Sequence, residues 1–373
     1  MRAAILDRNG PLDSVRIGEL DAPSMRGDEI LVRVHGAAIN PADLKVVTGK
    51  DGAAFLHATE FPTSFGFDFS GVVEAVGSDV QGRSVGDEVF GFLAYARSTK
   101  QGSFAELVSV NPDTVGDKPS NISHEEAAAA ATAGCTALQA LEEKGRIRSG
   151  QKVLVNGASG GVGSYAVQIA AQLGAEVWGT ASAAKVDFVK GLGAARVLDY
   201  KTAPLADIGE KFDIVLDAAS TSSFGKVSAI LEPGGVYVAL LPSLGLLTGI
   251  LASFFSSKRC GVVVVKSRTA NLNRLAGWLG AGKLQASVDS TFSLNDITVA
   301  LAAQQAGKAR GKLVSTSPTT NRTRLRWTRR RPWSASSPVA SRRTSKRSAA
   351  DTSPRGPRPF RRSATRQALS PGC

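Results

Sequence analysis

Residues 151–200 read QKVLVNGASGGVGSYAVQIAAQLGAEVWGTASAAKVDFVKGLGAARVLDY. The run 153–155 is apolar and short, as suits a strand buried on both faces. Ala158, Gly160 and Gly163 then fill the three slots of G-x-G-x-x-G, with Ala in the first. Small residues there let the backbone turn sharply and come close to an anion. Val162, Ala166, Ile169 and Leu173 follow at helical spacing, so the turn opens a helix. The free N–H groups of its first turn and the positive end of its dipole face the same anion. Residues 176–179 supply a second strand. Strand, glycine turn, helix and strand make the first βαβ unit of a dinucleotide site.

Outward from this unit the pattern continues. Apolar runs at 196–198, 214–218, 236–240 and 261–265 alternate with helical segments. That alternation predicts a parallel sheet with helices on both faces, the doubly wound α/β class. Upstream, residues 1–122 are strand-rich. Their apolar runs, 30–34, 71–76, 88–90 and 104–108, are punctuated by turn pairs such as Gly10-Pro11, Gly27-Asp28 and Gly86-Asp87. They predict a compact β domain. Ser123 and Glu126 form a capping-box signal for a long helix through the alanine run to about Lys144. Downstream come a helix (269–280), a strand (287–289), a helix (296–307) and a last strand (312–315).

The formal net charge of +13 over 373 residues suggests a nucleic-acid partner until the charge is located. From Pro318 onward there are fifteen Arg and Lys and one acid, Asp351. The body before it is nearly neutral. Residues 318–373 are rich in Arg, Ser, Pro, Thr and Ala and poor in aliphatics, so a basic disordered tail is expected. Two readings of it stand. It is a basic arm for RNA or DNA, with clusters at 329–331 and 342–347 and with Trp327 and Trp333 to stack on bases. Alternatively, its bias is that of GC-rich sequence read in an unintended frame. Three scattered cysteines fit a reducing, cytoplasmic compartment. The stretch 236–255 is apolar but broken by Pro242 and several glycines, so strand, loop and short helix are expected and no membrane span.

Several motifs run through the body in a fixed order. They are Asn40-Pro41-Ala42-Asp43, Gly66-Phe67-Asp68-Phe69-Ser70-Gly71-Val72-Val73 and Val85-Gly86-Asp87-Glu88-Val89. After them come Ala133-Gly134-Cys135-Thr136-Ala137, Asn156-Gly157-Ala158-Ser159-Gly160-Gly161-Val162-Gly163, Pro233-Gly234-Gly235 and Arg310-Gly311-Lys312-Leu313-Val314. In these the chain resembles the medium-chain dehydrogenase/reductase superfamily, within its zinc-free quinone and enone oxidoreductase (zeta-crystallin-like) branch. The resemblance covers about residues 1–316. It implies a GroES-like β domain from 1–122 and 266–317, with a Rossmann domain, 123–265, inserted between them.

Zinc-dependent relatives place a Cys where Asn40 stands and a Gly-His-Glu where Gly66-Phe67-Asp68 stands. They also carry a four-Cys lobe that this chain lacks. A catalytic zinc needs about three converging N, S or O ligands. His35, His57 and His124 have no ligand spacing, so no metal is expected. At the end of the second strand an NAD site carries an acid for the ribose hydroxyls. Here the residues are Thr180-Ala181-Ser182-Ala183-Ala184-Lys185. An acid would repel a 2′-phosphate, whereas Ser182 and Lys185 suit one. Tyr200 matches the family tyrosine beside that phosphate. The expected cofactor is NADPH.

The resemblance then implies hydride transfer to a small-molecule electron acceptor, either a quinone or an α,β-unsaturated carbonyl. Ser159, Gly160, Gly161, Val162 and Gly163 would hold the pyrophosphate. Thr136, at a helix start, would contact the nicotinamide, with Leu240 and Leu241 packed near it. Asn40 would hydrogen-bond cofactor or substrate. Lys45 would stabilise enolate charge or deliver a proton through water. Asp43 is read as orienting local backbone or Lys45 rather than acting as an acid. Where relatives often have Ala-Glu-Tyr, this chain has Ala105-Glu106-Leu107. Relatives commonly form homodimers by joining Rossmann sheets at an edge, here 261–265. Two rival classes share the same phosphate loop: a non-catalytic NADPH sensor or scaffold, and a nucleic-acid-binding protein on a reductase scaffold.

Overall fold

The computed structural model describes residues 1–316 apart from 59, 206, 207, 242 and 243. The expectations for the tail, its disorder and its nucleic-acid arm among them, lie outside the described residues.

Six strands form the parallel sheet. Across it the order is Arg196–Asp199, Glu176–Ala181, Lys152–Asn156, Phe212–Asp217, Leu231–Ala239 and Arg259–Val262. The chain enters in the middle, walks to one edge, then crosses back and walks to the other. Crossovers therefore diverge between Lys152–Asn156 and Phe212–Asp217, which opens a crevice at their carboxyl ends. Val153, Leu154, Val155, Ile214, Val215 and Leu216 are fully buried. Such strands read as unbroken apolar runs because helices cover both faces.

Several strand bounds differ from the sequence expectation. The fifth strand begins at Leu231 rather than 236, because Pro233-Gly234-Gly235 is built into it. Its pairing slips between Phe212 and Ile214, and Gly234 takes φ +83°. A bulge of this kind hides a strand from pattern reading. The edge strand spans Arg259–Val262, two residues earlier than expected.

The capping box at Ser123 and Glu126 is present in both directions, at 2.8 and 3.2 Å. It starts the helix His124–Gln139, which passes into a π-helical turn at Ala140–Gly145. Ala127 through Ala131 are all buried. Their small side chains let the helix pack closely against strands Ile30–Ala38 and Asp68–Val76 and against the helix Gly161–Gln172. It is the spine shared by both sheets.

The second sheet has seven strands and a mostly antiparallel plan around Ile30–Ala38 and Asp68–Val76. Its last member, Lys312–Thr316, pairs antiparallel with Ile30–Ala38, so the chain returns here after the parallel sheet. Val288–Ser293 runs parallel beside it. Phe65, Phe67, Phe69 and Phe104 fill this core, at about 1.5–3 kcal/mol of burial each. A three-stranded sheet, Val15–Glu19, Arg2–Leu6 and Thr63–Ser64, closes one end. The mixed α/β architecture, GroES-like β half and Rossmann-like half, is therefore as the sequence implies.

Candidate active site

The glycine loop leaves strand Lys152–Asn156 through Gly157, at φ +81°. The left-handed residue is thus Gly157 rather than the first motif slot. Ala158 is tolerated in that slot, where its N–H donates to Thr180 O at 2.9 Å. A Cβ on Gly163 would lie 2.1 Å from Gly157 O, so helix and strand meet there without room for a side chain. A Cβ on Gly160 would meet only Gly157 O, at 3.4 Å. Gly160 therefore faces open space beside the start of the helix Gly161–Gln172. The first-turn N–H groups of that helix have no intrahelical acceptor. Beside them lies a cleft of about 770 Å³, lined by Ser159 and Tyr200 on one wall and Thr221, Ser222 and Lys226 on the other. Volume, open glycine face and unpaired donors fit a dinucleotide.

A buried polar ladder pins the ends of four adjacent strands. Thr180 Oγ1 donates to Asn156 Oδ1 at 2.7 Å. Asn156 Nδ2 donates to Asp217 Oδ1 at 2.8 Å and to Thr221 Oγ1 at 3.1 Å. Tyr237 OH and Ser222 N both donate to Asp217 Oδ2, at 2.9 and 2.8 Å. Burial and Asp217 raise the Tyr237 phenol above its ordinary range, so it stays a donor. Sequence reading missed this ladder. Its only local signal is a polar residue, Asn156 or Asp217, ending an apolar run.

The cofactor-selecting rim shows a division. Strand Glu176–Ala181 ends without an acid, and Tyr200, 55% exposed, lines the cleft. Ser182 follows the strand, half-buried. Lys185 Nζ donates to Ala309 O at 2.7 Å, so one of its hydrogens ties it to the segment before the last strand. Burial lowers the Lys185 pKa, with Asp289 opposing and Arg310 adding to the effect. Lys226, exposed on the opposite wall, is a cation that sequence reading missed.

Leu240 packs partly buried against the parallel-sheet core, and Leu241 is exposed just beyond it. Thr136 is buried near the C-terminal end of His124–Gln139, not at a helix start as expected. The capping box places the start well upstream of it.

The second half contributes a buried charged cluster. Asn40 Nδ2 donates to Asp68 Oδ2 at 3.0 Å and to Ala38 O at 3.4 Å. Asn40 Oδ1 accepts from Lys312 Nζ at 2.6 Å. The same ammonium reaches Ile39 O at 2.7 Å and Asp68 Oδ2 at 3.3 Å. Thr132 donates to Asp68 Oδ1 through N–H and hydroxyl. Tyr95 OH donates to Thr132 at 3.3 Å, and its ring stacks on Phe67 at 4.2 Å. Both Asn40 amide hydrogens are thus engaged within the protein. Asp43 Oδ2 accepts from Asn40 N at 2.6 Å, the backbone role expected of it. Its Oδ1 is buried with no partner among the described residues. Burial pushes the Asp43 pKa up to about 8, Asp68 adds to this, and the Asn40 N–H and Lys312 oppose it. Lys45 sits partly exposed in the helix Pro41–Thr48 that Asn40 begins.

Among the described residues no group of three or more His, Cys, Asp or Glu could hold a metal ion. His35 and His124 stack at 4.8 Å, and Ser70 Oγ meets His124 Nδ1 at 2.8 Å. Burial and neighbouring His35 hold His124 down to about 4. Nor, among the described residues, is any helix long and apolar enough to cross a membrane.

A parallel sheet in this order, with a glycine loop at its crossover, defines a dinucleotide-binding framework. Residues 26–120 match the Alcohol dehydrogenase GroES-like domain family, and residues 192–314 match the Zinc-binding dehydrogenase family. The chain is 34% identical over 313 residues to 2-methylene-furan-3-one reductase of Solanum lycopersicum, covering 82% of this chain and 76% of that protein. It is 32% identical over 316 residues to a chloroplastic quinone-oxidoreductase homolog of Spinacia oleracea, covering 82% and 94%. The solved quinone oxidoreductase of Coxiella burnetii superposes with a TM-score of 0.78 at 30% identity, over 85% of this chain and 99% of that one. The chain belongs to the medium-chain dehydrogenase/reductase superfamily, among its quinone and enone oxidoreductases. It is accordingly an oxidoreductase with a nicotinamide cofactor and a small-molecule acceptor.

Proposed function

We propose that the chain uses NADPH, without zinc, to reduce a quinone or an α,β-unsaturated carbonyl. The observation that carries the NADPH reading is the rim of the cleft. The strand Glu176–Ala181 ends without an acid, Tyr200 and Lys226 line the space, and Lys185 lies close to it in sequence. A 2′-phosphate meets no carboxylate at that strand end and has one cation, Lys226, in the lining of the cleft. The names of the tomato and spinach relatives support the acceptor classes.

The bound nicotinamide supplies the hydride. The N–H groups of Ser159, Gly161, Val162 and Gly163 would hold the pyrophosphate at the helix start, with Gly160, whose N–H goes to Gly157 O, leaving its face open to it. Thr136, Leu240 and Leu241 would border the nicotinamide. Asn40 acts by holding Asp68 and Lys312 in place, since its own amide hydrogens are spent. Lys45, on the helix that Asn40 begins, stabilises the oxyanion of the reduced acceptor, and water delivers the proton.

The halves divide as 1–122 with 266–317, and 123–265. The free Cys135 and Cys260 suit a reducing cytoplasm. A homodimer forms at the Arg259–Val262 edge, where Leu251, Phe254, Phe255 and Val264 are exposed. An unpaired edge flanked by such apolar side chains invites pairing.

The test follows NADPH absorbance with the purified chain against quinones, alkenals and enones, with NADH in parallel. Oxidation with NADPH and little with NADH is the expected result. Tight NADPH binding without oxidation of any acceptor would favour the sensor or scaffold class instead.

A further inference from the structure

Strand Lys312–Thr316 belongs to the GroES-like sheet, yet its start abuts the glycine loop of the other half. Gly311 N donates to Ser159 O at 3.0 Å, and Gly311 bridges Gly160 in parallel register. A Cβ on Gly161 would lie 2.9 Å from Lys312 Cδ, so the Lys312 stem packs on the loop itself. The far end of the same side chain reaches Ile39 O, Asn40 Oδ1 and Asp68 Oδ2. Three acceptors match the three hydrogens of an ammonium. Lys312 is 4% exposed and Asp68 fully buried.

Such a pair is a poor source of stability. Desolvation of both charges offsets their attraction, and an apolar side chain of similar volume is often as stable. Its geometry does something else. One residue spans from the backbone that grips the cofactor phosphates to the cluster that begins the Lys45 helix. We infer that Lys312 is a positioning residue, a latch that fixes the phosphate loop against the Asn40–Asp68 pair. It thereby sets the distance between bound cofactor and acceptor. This rests on the reductase reading for its catalytic consequence, and on the contacts alone for its mechanical one. Because all three ammonium hydrogens are engaged inside the protein, Lys312 does not grip phosphate. Its loss should appear in turnover rather than in binding, as a displacement of about 1 Å suffices to cost rate heavily.

The experiment compares full-length wild type, Lys312→Arg and the double variant Lys312→Met/Asp68→Asn. The double variant removes both charges together, so no buried ion is stranded, and thermal unfolding checks that it folds. Three readouts are taken: NADPH affinity by fluorescence, kcat with the best acceptor, and amide hydrogen exchange at residues 159–163 without nucleotide. For the double variant the expected result is affinity within about threefold of wild type, kcat lower by about thirtyfold or more, and loop exchange about tenfold faster. Lys312→Arg should recover part of the lost kcat. A folded double variant with wild-type kcat or wild-type exchange overturns the latch. Affinity falling in step with kcat overturns it too, because that marks a direct phosphate contact. If wild type oxidises NADPH with no acceptor, the reductase reading fails, and the exchange comparison alone decides the latch.

Discussion

Asn40 Nδ2 donates to Asp68 Oδ2 at 3.0 Å while Asn40 Oδ1 accepts from Lys312 Nζ at 2.6 Å. The amide is held in one orientation between an anion and a cation, its donor and its acceptor on separate atoms. Asn40→Ala therefore leaves both buried charges short of a partner, at about 2–3 kcal/mol. Asn40→Asp places another carboxyl beside Asp68 and Asp43 with a single ammonium, and should unfold at lower denaturant than Asn40→Ala. Urea unfolding of the two variants checks the order. An Asn40→Asp protein as stable as wild type would contradict this account of the cluster.

Asp43 gives the molecule a pH dependence of defined sign. Its folded-state pKa is about 8, raised chiefly by burial, whereas the unfolded chain titrates near 3.8. Between those values the folded protein holds a proton that the unfolded chain has released. Stability from this group is full below the unfolded value and is lost as pH rises towards the folded one, by up to about 1.4 kcal/mol per pH unit. Asp43→Asn keeps an acceptor for Asn40 N and cannot ionise. Its urea midpoint should therefore decline less than that of wild type between about pH 5 and about pH 8. Parallel declines in the two proteins would remove Asp43 as the cause.

The parts legible in the sequence were those encoded by near neighbours. The βαβ unit follows from an apolar run, three small residues and a helical stripe within 151–200. Ser123 and Glu126 announced their helix for the same reason. What stayed hidden depends on partners far away in the chain. Lys312 could be seen in its motif, but its ammonium acceptor Asn40 lies 272 residues earlier. The Thr180–Asn156–Asp217–Tyr237 ladder joins four strands whose neighbours are set only by sheet order. The sequence places Lys185 just after the second strand, yet its tie to Ala309 depends on the chain's return to the seven-stranded sheet.

Two glycines of one motif should fail differently. Gly163→Ala puts a methyl group 2.1 Å from Gly157 O and 2.9 Å from Ala158 Cα, both backbone atoms. Helix and strand must separate, so the melting temperature falls along with NADPH affinity. Gly160→Ala meets only Gly157 O at 3.4 Å, an ordinary contact. That protein should melt within about 2 °C of wild type and lose about tenfold or more in NADPH affinity, because its methyl group occupies the side open to the pyrophosphate. Calorimetry and fluorescence titration on both variants separate the cases. Equal affinity losses with equal melting shifts would mean that Gly160 also serves packing.

Ser182→Glu tests the choice of cofactor directly. The residue follows strand Glu176–Ala181, where a carboxylate would accept from ribose hydroxyls and repel a 2′-phosphate. NADPH affinity should fall by about tenfold or more, and NADH affinity should hold or improve. Lys226→Ala provides the converse measurement on the opposite wall of the cleft. Removing a cation there should weaken NADPH and leave NADH almost unchanged, since only NADPH carries the extra phosphate. If Ser182→Glu weakens both nucleotides equally, the segment acts through shape. If Lys226→Ala weakens both, that lysine holds the shared pyrophosphate or adenosine instead. Selective loss in both variants would place the 2′-phosphate between the two walls, with Tyr200 lining the same space.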